Sequence, residues 1–198
     1  ITTKPKFTNK NISLSLVWRI IRRYAEGQSE EIISDALSEK PEIISSVLYE
    51  DQDQTKWEPE LIKRGEYYLN EAAKGTVLSK YHLEASIAFW HTRTELNEKE
   101  KWFQILQLYN RLLQIEYSPV IALNRTYALS KSEGNAVALK EALKINLADN
   151  HLYHSLVAEL YIGIDEAKQL EHLQQALSLS LNERDKIITF RKIKQIKN

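Results

Sequence analysis

The chain has 198 residues, enough for one generous domain or two small ones with a sizeable buried core. Its 27 Lys and Arg balance its 27 Asp and Glu, so no net positive field draws in nucleic acid, and DNA binding by charge alone is not expected. The absence of cysteine removes disulfides, thiolate metal sites and a cysteine nucleophile together.

No stretch approaches the roughly 20 apolar residues of a membrane span, and the opening "ITTKPKFTNKN" lacks the apolar core of a signal peptide. The expectation is a cytoplasmic protein with no membrane partner. A chain without methionine that opens on Ile1 is expected to be a piece of a longer one.

Five glycines and four prolines are too few for a turn-rich β fold, and apolar residues recur at three- and four-residue intervals. Helices are predicted over 12–25, 30–38, 41–48, 58–74, 78–93, 98–116, 119–132, 135–146, 150–163, 165–180 and 183–195. Gly75, Pro119, Gly134 and the strings "TELNEKE" and "LADN" punctuate them. Connections this short make successive helices antiparallel, so the expected fold is all-α, built of antiparallel helix pairs. The expected organisation is an N-terminal helical segment over 1–48 packed as one unit with a helical domain over 49–198.

In the first of these segments, "EGQSEEIISDALSEKPEIISSVL" (26–48) scans as a helix-turn-helix. Its second helix, "PEIISSVL", begins with Glu42 and carries no Lys or Arg, whereas contacts to phosphates and bases depend on cationic and amide side chains. Specific DNA binding by this chain alone is therefore not expected.

Next comes "LYEDQDQTKWEPELIKRGEYYL" (48–69), where Glu50, Asp51, Gln52 and Asp53 lead into Trp57. Such carboxylates can ligate a metal, supply an acid and a base, cap a helix or dock onto a neighbouring segment. Capping accounts for Asp53 and Glu58, because Pro59 suits a first helical turn and negative charge there is favoured by about 0.3–1 kcal/mol. It does not account for the whole string. In 78–93, His82 and His91 stand nine apart on nearly opposite helix faces and are expected to be structural.

A repeat marks the second half: "LLQI" (112–115), "ALKI" (142–145) and "ALSL" (176–179) each close a helix. Between them stand "PVIALNRTYALS" and "HLYHSLVAELYI", giving a two-helix unit of tetratricopeptide-like length. Ala122, Ala128 and Ala158 on the first helices, with Ala136, Ala142, Ala167 and Ala176 on the second, are the small residues expected at close helix contacts.

Chemistry-bearing patterns are scarce. The chain has no phosphate-binding glycine loop, no "HExxH" and no nucleophile elbow, so neither an enzyme nor a cofactor is expected. In "HLYH", His151 and His154 lie three apart and can share an ion with Glu159 or His172, against the plainer reading that they cap, stack or satisfy a carbonyl. The C-terminal helix sets Arg184, Lys186, Arg191, Lys192, Lys194 and Lys197 against Glu183 and Asp185, the composition of a solvated basic face.

The strings "LYEDQDQTKWEPELIKRGEYYL", "LSKYHLEASIAFWH", "LYNRLLQIEYSPVIALNRTYAL" and "NHLYHSLVAELY" resemble, in order and spacing, the C-terminal extension of one group of ECF-type (extracytoplasmic function) RNA polymerase sigma factors. The resemblance runs from about Leu48 to Leu181, with "SPVIALNR" and "EDQD" before Trp57 most specific. The segments before Leu48 are only loosely similar, and a further helical stretch and hairpin usual in that group is missing ahead of "YEDQD". The resemblance implies a tetratricopeptide-like, non-catalytic regulatory domain that controls transcription initiation. Its implied partners are the promoter-recognition regions of the same polypeptide, RNA polymerase or a regulatory protein. The docking or bracing residues are expected among Glu50, Asp51, Gln52, Asp53, Trp57, Tyr81, His82, Glu84, Asn124 and Arg125. Within that set Arg125 is the expected partner of the acidic string, since a guanidinium amid apolar residues needs an acceptor. A stand-alone helical-repeat adaptor and a metal- or small-molecule-sensing helical domain are the alternatives.

Overall fold

The computed structural model describes residues 59–73, 78–93, 95–181 and 183–197. Among the described residues the chain is all-α, with eight helices and no strand: α1 Pro59–Ala73, α2 Lys80–Thr92, α3 Glu98–Ile115, α4 Pro119–Glu133, α5 Asn135–Ala142, α6 His151–Leu160, α7 Glu166–Leu179 and α8 Glu183–Lys197. None of these is long and apolar enough to cross a membrane. The helices expected over 12–25, 30–38 and 41–48, the helix-turn-helix pattern and the expected division after residue 48 all lie outside the described residues.

The helix starts follow from local chemistry. Asn97 accepts from the Lys99 amide (2.9 Å), Asn150 from those of Leu152 (2.9 Å) and Tyr153 (3.1 Å), and Asp165 from that of Lys168 (3.0 Å). Each side chain satisfies amides that a first helical turn leaves without a carbonyl. Pro119 opens α4, where its missing N–H costs nothing. Gly134 alone separates α4 from α5, and its φ of 96° is a conformation that side-chain-bearing residues resist.

Two expected helix ends come early. The helix expected over 150–163 stops at Leu160, where the amides of Ile162 and Ile164 reach back only three residues. The helix expected over 135–146 stops at Ala142, because the amides of Lys144 and Ile145 reach back only three residues, to Glu141 and Ala142. The tightened turn still carries Ile145 into the core.

The chain divides into two compact units between Glu95 and Leu96. In the first, α1 and α2 pack together, α2 burying Leu83, Ile87, Ala88 and Thr92. Arg93, just past α2, approaches Glu66 of α1 (3.9 Å) and holds Glu95.

In the second unit each helix packs on the next, from α3 to α8, and α4 also touches α6, two helices on. Trp102, Ile105, Leu106, Tyr109 and Leu112 of α3 are buried at intervals of three and four, the spacing that sets an apolar stripe on one face. Trp102 meets Tyr127 of α4 edge to face, with centroids 5.3 Å apart. At the other end Ala158, Leu173 and Ile193 join α6, α7 and α8 in one apolar cluster.

Of the alanines expected at close contacts, Ala122, Ala128, Ala142, Ala158 and Ala176 are buried. Ala136 and Ala167 are exposed, and Ala138 is the further small residue that α5 buries.

Candidate functional site

Of the residues expected to brace or dock, Glu50, Asp51, Gln52, Asp53 and Trp57 lie outside the described residues. Tyr81, His82 and Glu84 stand on α2 of the first unit, and Asn124 and Arg125 on α4 of the second.

On α2 all three are half-buried. The Tyr81 ring carries the Lys80 ammonium 5.6 Å from its centroid. His82 is the third residue of the helix, and its Nδ1 accepts from the Ser79 backbone amide (3.2 Å) and lies 2.8 Å from the Ser79 hydroxyl. An imidazole thereby does what a Glu does in a capping box, which requires Nδ1 to be without a proton.

On α4 the neighbours part company. Asn124 is exposed, whereas Arg125 is half-buried and its Nε donates to Asn110 Oδ1 of α3 at 2.6 Å. Arg125 also lies in the field of Glu141 on α5. The Lys144 ammonium, bonded to Glu141 (2.6 Å), holds that carboxyl below its ordinary value, with Arg125 adding to the effect. The described partner of the guanidinium is thus a neutral amide. Asn110 stands in "LYNRLLQ" between Tyr109 and Arg111, and the sequence reading did not single it out.

The sequence reading also missed Lys101. It is 1% exposed, its ammonium bonds Glu98, and the other oxygen of that carboxylate accepts from Trp102 Nε1 at 3.0 Å. One acid, one turn before the pair, thus serves a buried cation and a buried indole.

The histidine cluster differs from the metal reading. Among the described residues no three His, Cys, Asp or Glu side chains are grouped to hold an ion. His151 lies 3.6 Å from Asp185 of α8, and the Glu159 backbone carbonyl accepts from Asn135 (3.3 Å). His154 is buried and instead meets His172, with the two Nδ1 atoms 2.9 Å apart, while its Nε2 lies 2.7 Å from the Ala148 carbonyl. Tyr161 stacks on His172 at 5.7 Å and Tyr153 meets both rings edge on. Short range explains the difference: the two ring nitrogens 2.9 Å apart share one hydrogen, and the second nitrogen of His154 is taken by the Ala148 carbonyl. The reading that these histidines stack and satisfy a carbonyl describes His154 and His172.

Three of the polar contacts join helices: Arg125–Asn110 joins α4 to α3, His154–His172 joins α6 to α7, and His151–Asp185 joins α6 to α8. Their chemistry is that of fastening helices at fixed angles.

No family model matches the chain, and no solved structure does. An uncharacterized protein of Rhizobium meliloti (strain 1021) is 37% identical over 139 residues, a stretch covering 69% of this chain and 33% of the relative. The chain thus spans about a third of that relative's length.

Proposed function

We propose that this chain is a non-catalytic, protein-interacting regulatory domain of an ECF-type RNA polymerase sigma factor, organised as a tetratricopeptide-like array. It acts in the cytoplasm by docking onto the promoter-recognition regions of its own polypeptide, with RNA polymerase or a regulatory protein as further partners.

The observation that supports the reading is the recurrence of the three repeat marks at alternate helix ends. "LLQI" and "ALSL" close α3 and α7, and "ALKI" begins at the last residue of α5 and runs into the turn after it. The first residue of each, Leu112, Ala142 and Ala176, is buried, and the third, Gln114, Lys144 and Ser178, is exposed. The second and fourth residues do not repeat in the same way, Leu143 and Ile115 being exposed where Leu113, Leu177 and Leu179 are half-buried and Ile145 is buried, so the recurrence supports helix pairs of similar length rather than identical packing. The contact between α4 and α6 is the kind that a stacked helix-pair array makes between first helices of neighbouring pairs. The four sequence strings supply the rest of the reading. The relative's length, about three times the matched stretch, favours a domain of a larger protein over a stand-alone adaptor.

The test is co-purification. The gene's own upstream promoter-recognition regions are produced separately with an affinity tag and mixed with this chain at physiological salt. A one-to-one complex is expected, weakened by Asn124→Ala, an exposed residue of the proposed docking set. An upstream reading frame without such regions, or no complex by gel filtration at tens of micromolar, refutes the reading.

A further inference from the structure

The two imidazoles between α6 and α7 can be assigned their protons. The Ala148 carbonyl can only accept, so His154 Nε2 carries a hydrogen and donates across the 2.7 Å contact. Neutral His154 then has its lone pair on Nδ1, and the 2.9 Å contact requires His172 Nδ1 to donate into it. In the neutral pair this leaves His172 Nε2 as the nitrogen without a hydrogen. One added proton enters there and keeps the bond. A second puts hydrogens on both Nδ1 atoms, and two donors facing each other at that distance cannot stay together.

The surroundings disfavour even the first proton. From α6, Tyr153 and buried His154 face the ring, and Tyr161, at the end of α6, stacks on it. On α7 itself Glu171 is bonded to Lys168 (2.9 Å), and Asp165 caps the helix through the Lys168 amide. On α8 Asp185 lies against His151, and Asp149, in the loop before α6, is exposed. Each nearby carboxylate is thus engaged elsewhere or turned to solvent. Burial, followed by the proximity of His154, holds the His172 imidazole below its ordinary value, although Glu171 works the other way.

We propose that the His154–His172 pair is an acid-released clasp: it ties α7 to α6 while the pair carries at most one added proton, which costs stability by charging the half-buried His172 ring, and it lets go when a second proton puts hydrogens on both Nδ1 atoms. The sign follows from linkage. A histidine whose folded value is depressed binds fewer protons folded than unfolded, so its contribution is complete above the unfolded value near 6.5 and is lost as pH falls through the folded one. The clasp stands independently of the function proposed above.

Two measurements on the 198-residue chain test it. Nitrogen-15 NMR of the histidine rings near pH 7.5 should show His154 in the Nε2–H form and His172 in the Nδ1–H form, with His172 titrating below about 6.5. Urea unfolding from pH 7.5 to 5 should then be compared with His172→Phe, which keeps a ring for Tyr161 and takes no proton. The folding constant of the unmodified chain should fall more steeply, by up to about tenfold per pH unit within the window between the two values. Parallel profiles, or a His172 ring that titrates above 6.5, overturn the proposal. If the variant does not fold, the ring nitrogens of the unmodified chain decide: the hydrogen-bond coupling between the two Nδ1 atoms should persist through the first protonation and vanish with the second, and a coupling absent at pH 7.5 or retained with both rings charged overturns the proposal.

Discussion

Replacing Ala128 by Leu tests how closely the helices of the second unit are packed. Ala128 is 0% exposed in the middle of α4, a helix that contacts α3, α5 and α6. Leucine adds three carbons. Were the position open on a void, burying them would stabilise the fold by roughly 2 kcal/mol at about 0.8 kcal/mol per methylene. Against a filled surface they force side chains off their rotamers and cost about 1–3 kcal/mol. We expect the second outcome, a five- to 150-fold loss in the folding constant, or about 1–3 kcal/mol by urea unfolding followed by circular dichroism. Ala136→Leu, on the exposed face of α5, is the control and should fall within about 0.5 kcal/mol of the unmodified chain. Equal effects of the two substitutions, or stabilisation by the first, would refute the close packing inferred here.

The Arg125–Asn110 bond should appear in a double-mutant cycle: Arg125→Ala and Asn110→Ala each cost about 1.5–3 kcal/mol as bonds to a charged group, and the double mutant should lose less than their sum, whereas additive losses would show no coupling. Gly163→Ala should destabilise by about 1–2 kcal/mol although open space surrounds the position, because its φ of 73° is left-handed; a thermal midpoint equal to that of the unmodified chain would mean that the turn between α6 and α7 rearranges freely.

The helices were legible because their signals are local. Asn97, Pro119, Gly134, Asn150 and Asp165 act on amides and dihedrals within a turn of themselves, so a reader of the string meets cause and effect together. The alanines show where such reading stops. At about 100° per residue, Ala167 stands nine residues and therefore about 180° from buried Ala176 on α7, and Ala136 is turned about 120° from Ala142 on α5. Small size marks a candidate contact, but the face decides it. Lys101 was hidden by the charge-rich start "EKEK", which has the composition of a solvated turn, although Glu98 lies within reach three residues before it. His154 and His172 were both named as candidates for one ion. Their bond to each other was not legible, since it depends on the rotation of two helices about their axes.

A link of one residue has no slack. Gly134 ends α4 and begins α5, so the phase of the second helix is inherited from the first. One residue inserted there would turn α5 by about 100°, swinging Ala138 and Ala142 out of the core and exchanging a small-residue seam for the exposed face that carries Val137 and Lys140. Residues 143–150, between α5 and α6, form a longer connection, pinned at Ile145 in the core and at the Ala148 carbonyl, and its exposed residues Ala148 and Asp149 leave more room for a change of length than a single glycine does. An insertion is thereby expected to cost more within the pair α4–α5 than between it and α6, so that α4 and α5 behave as a single piece.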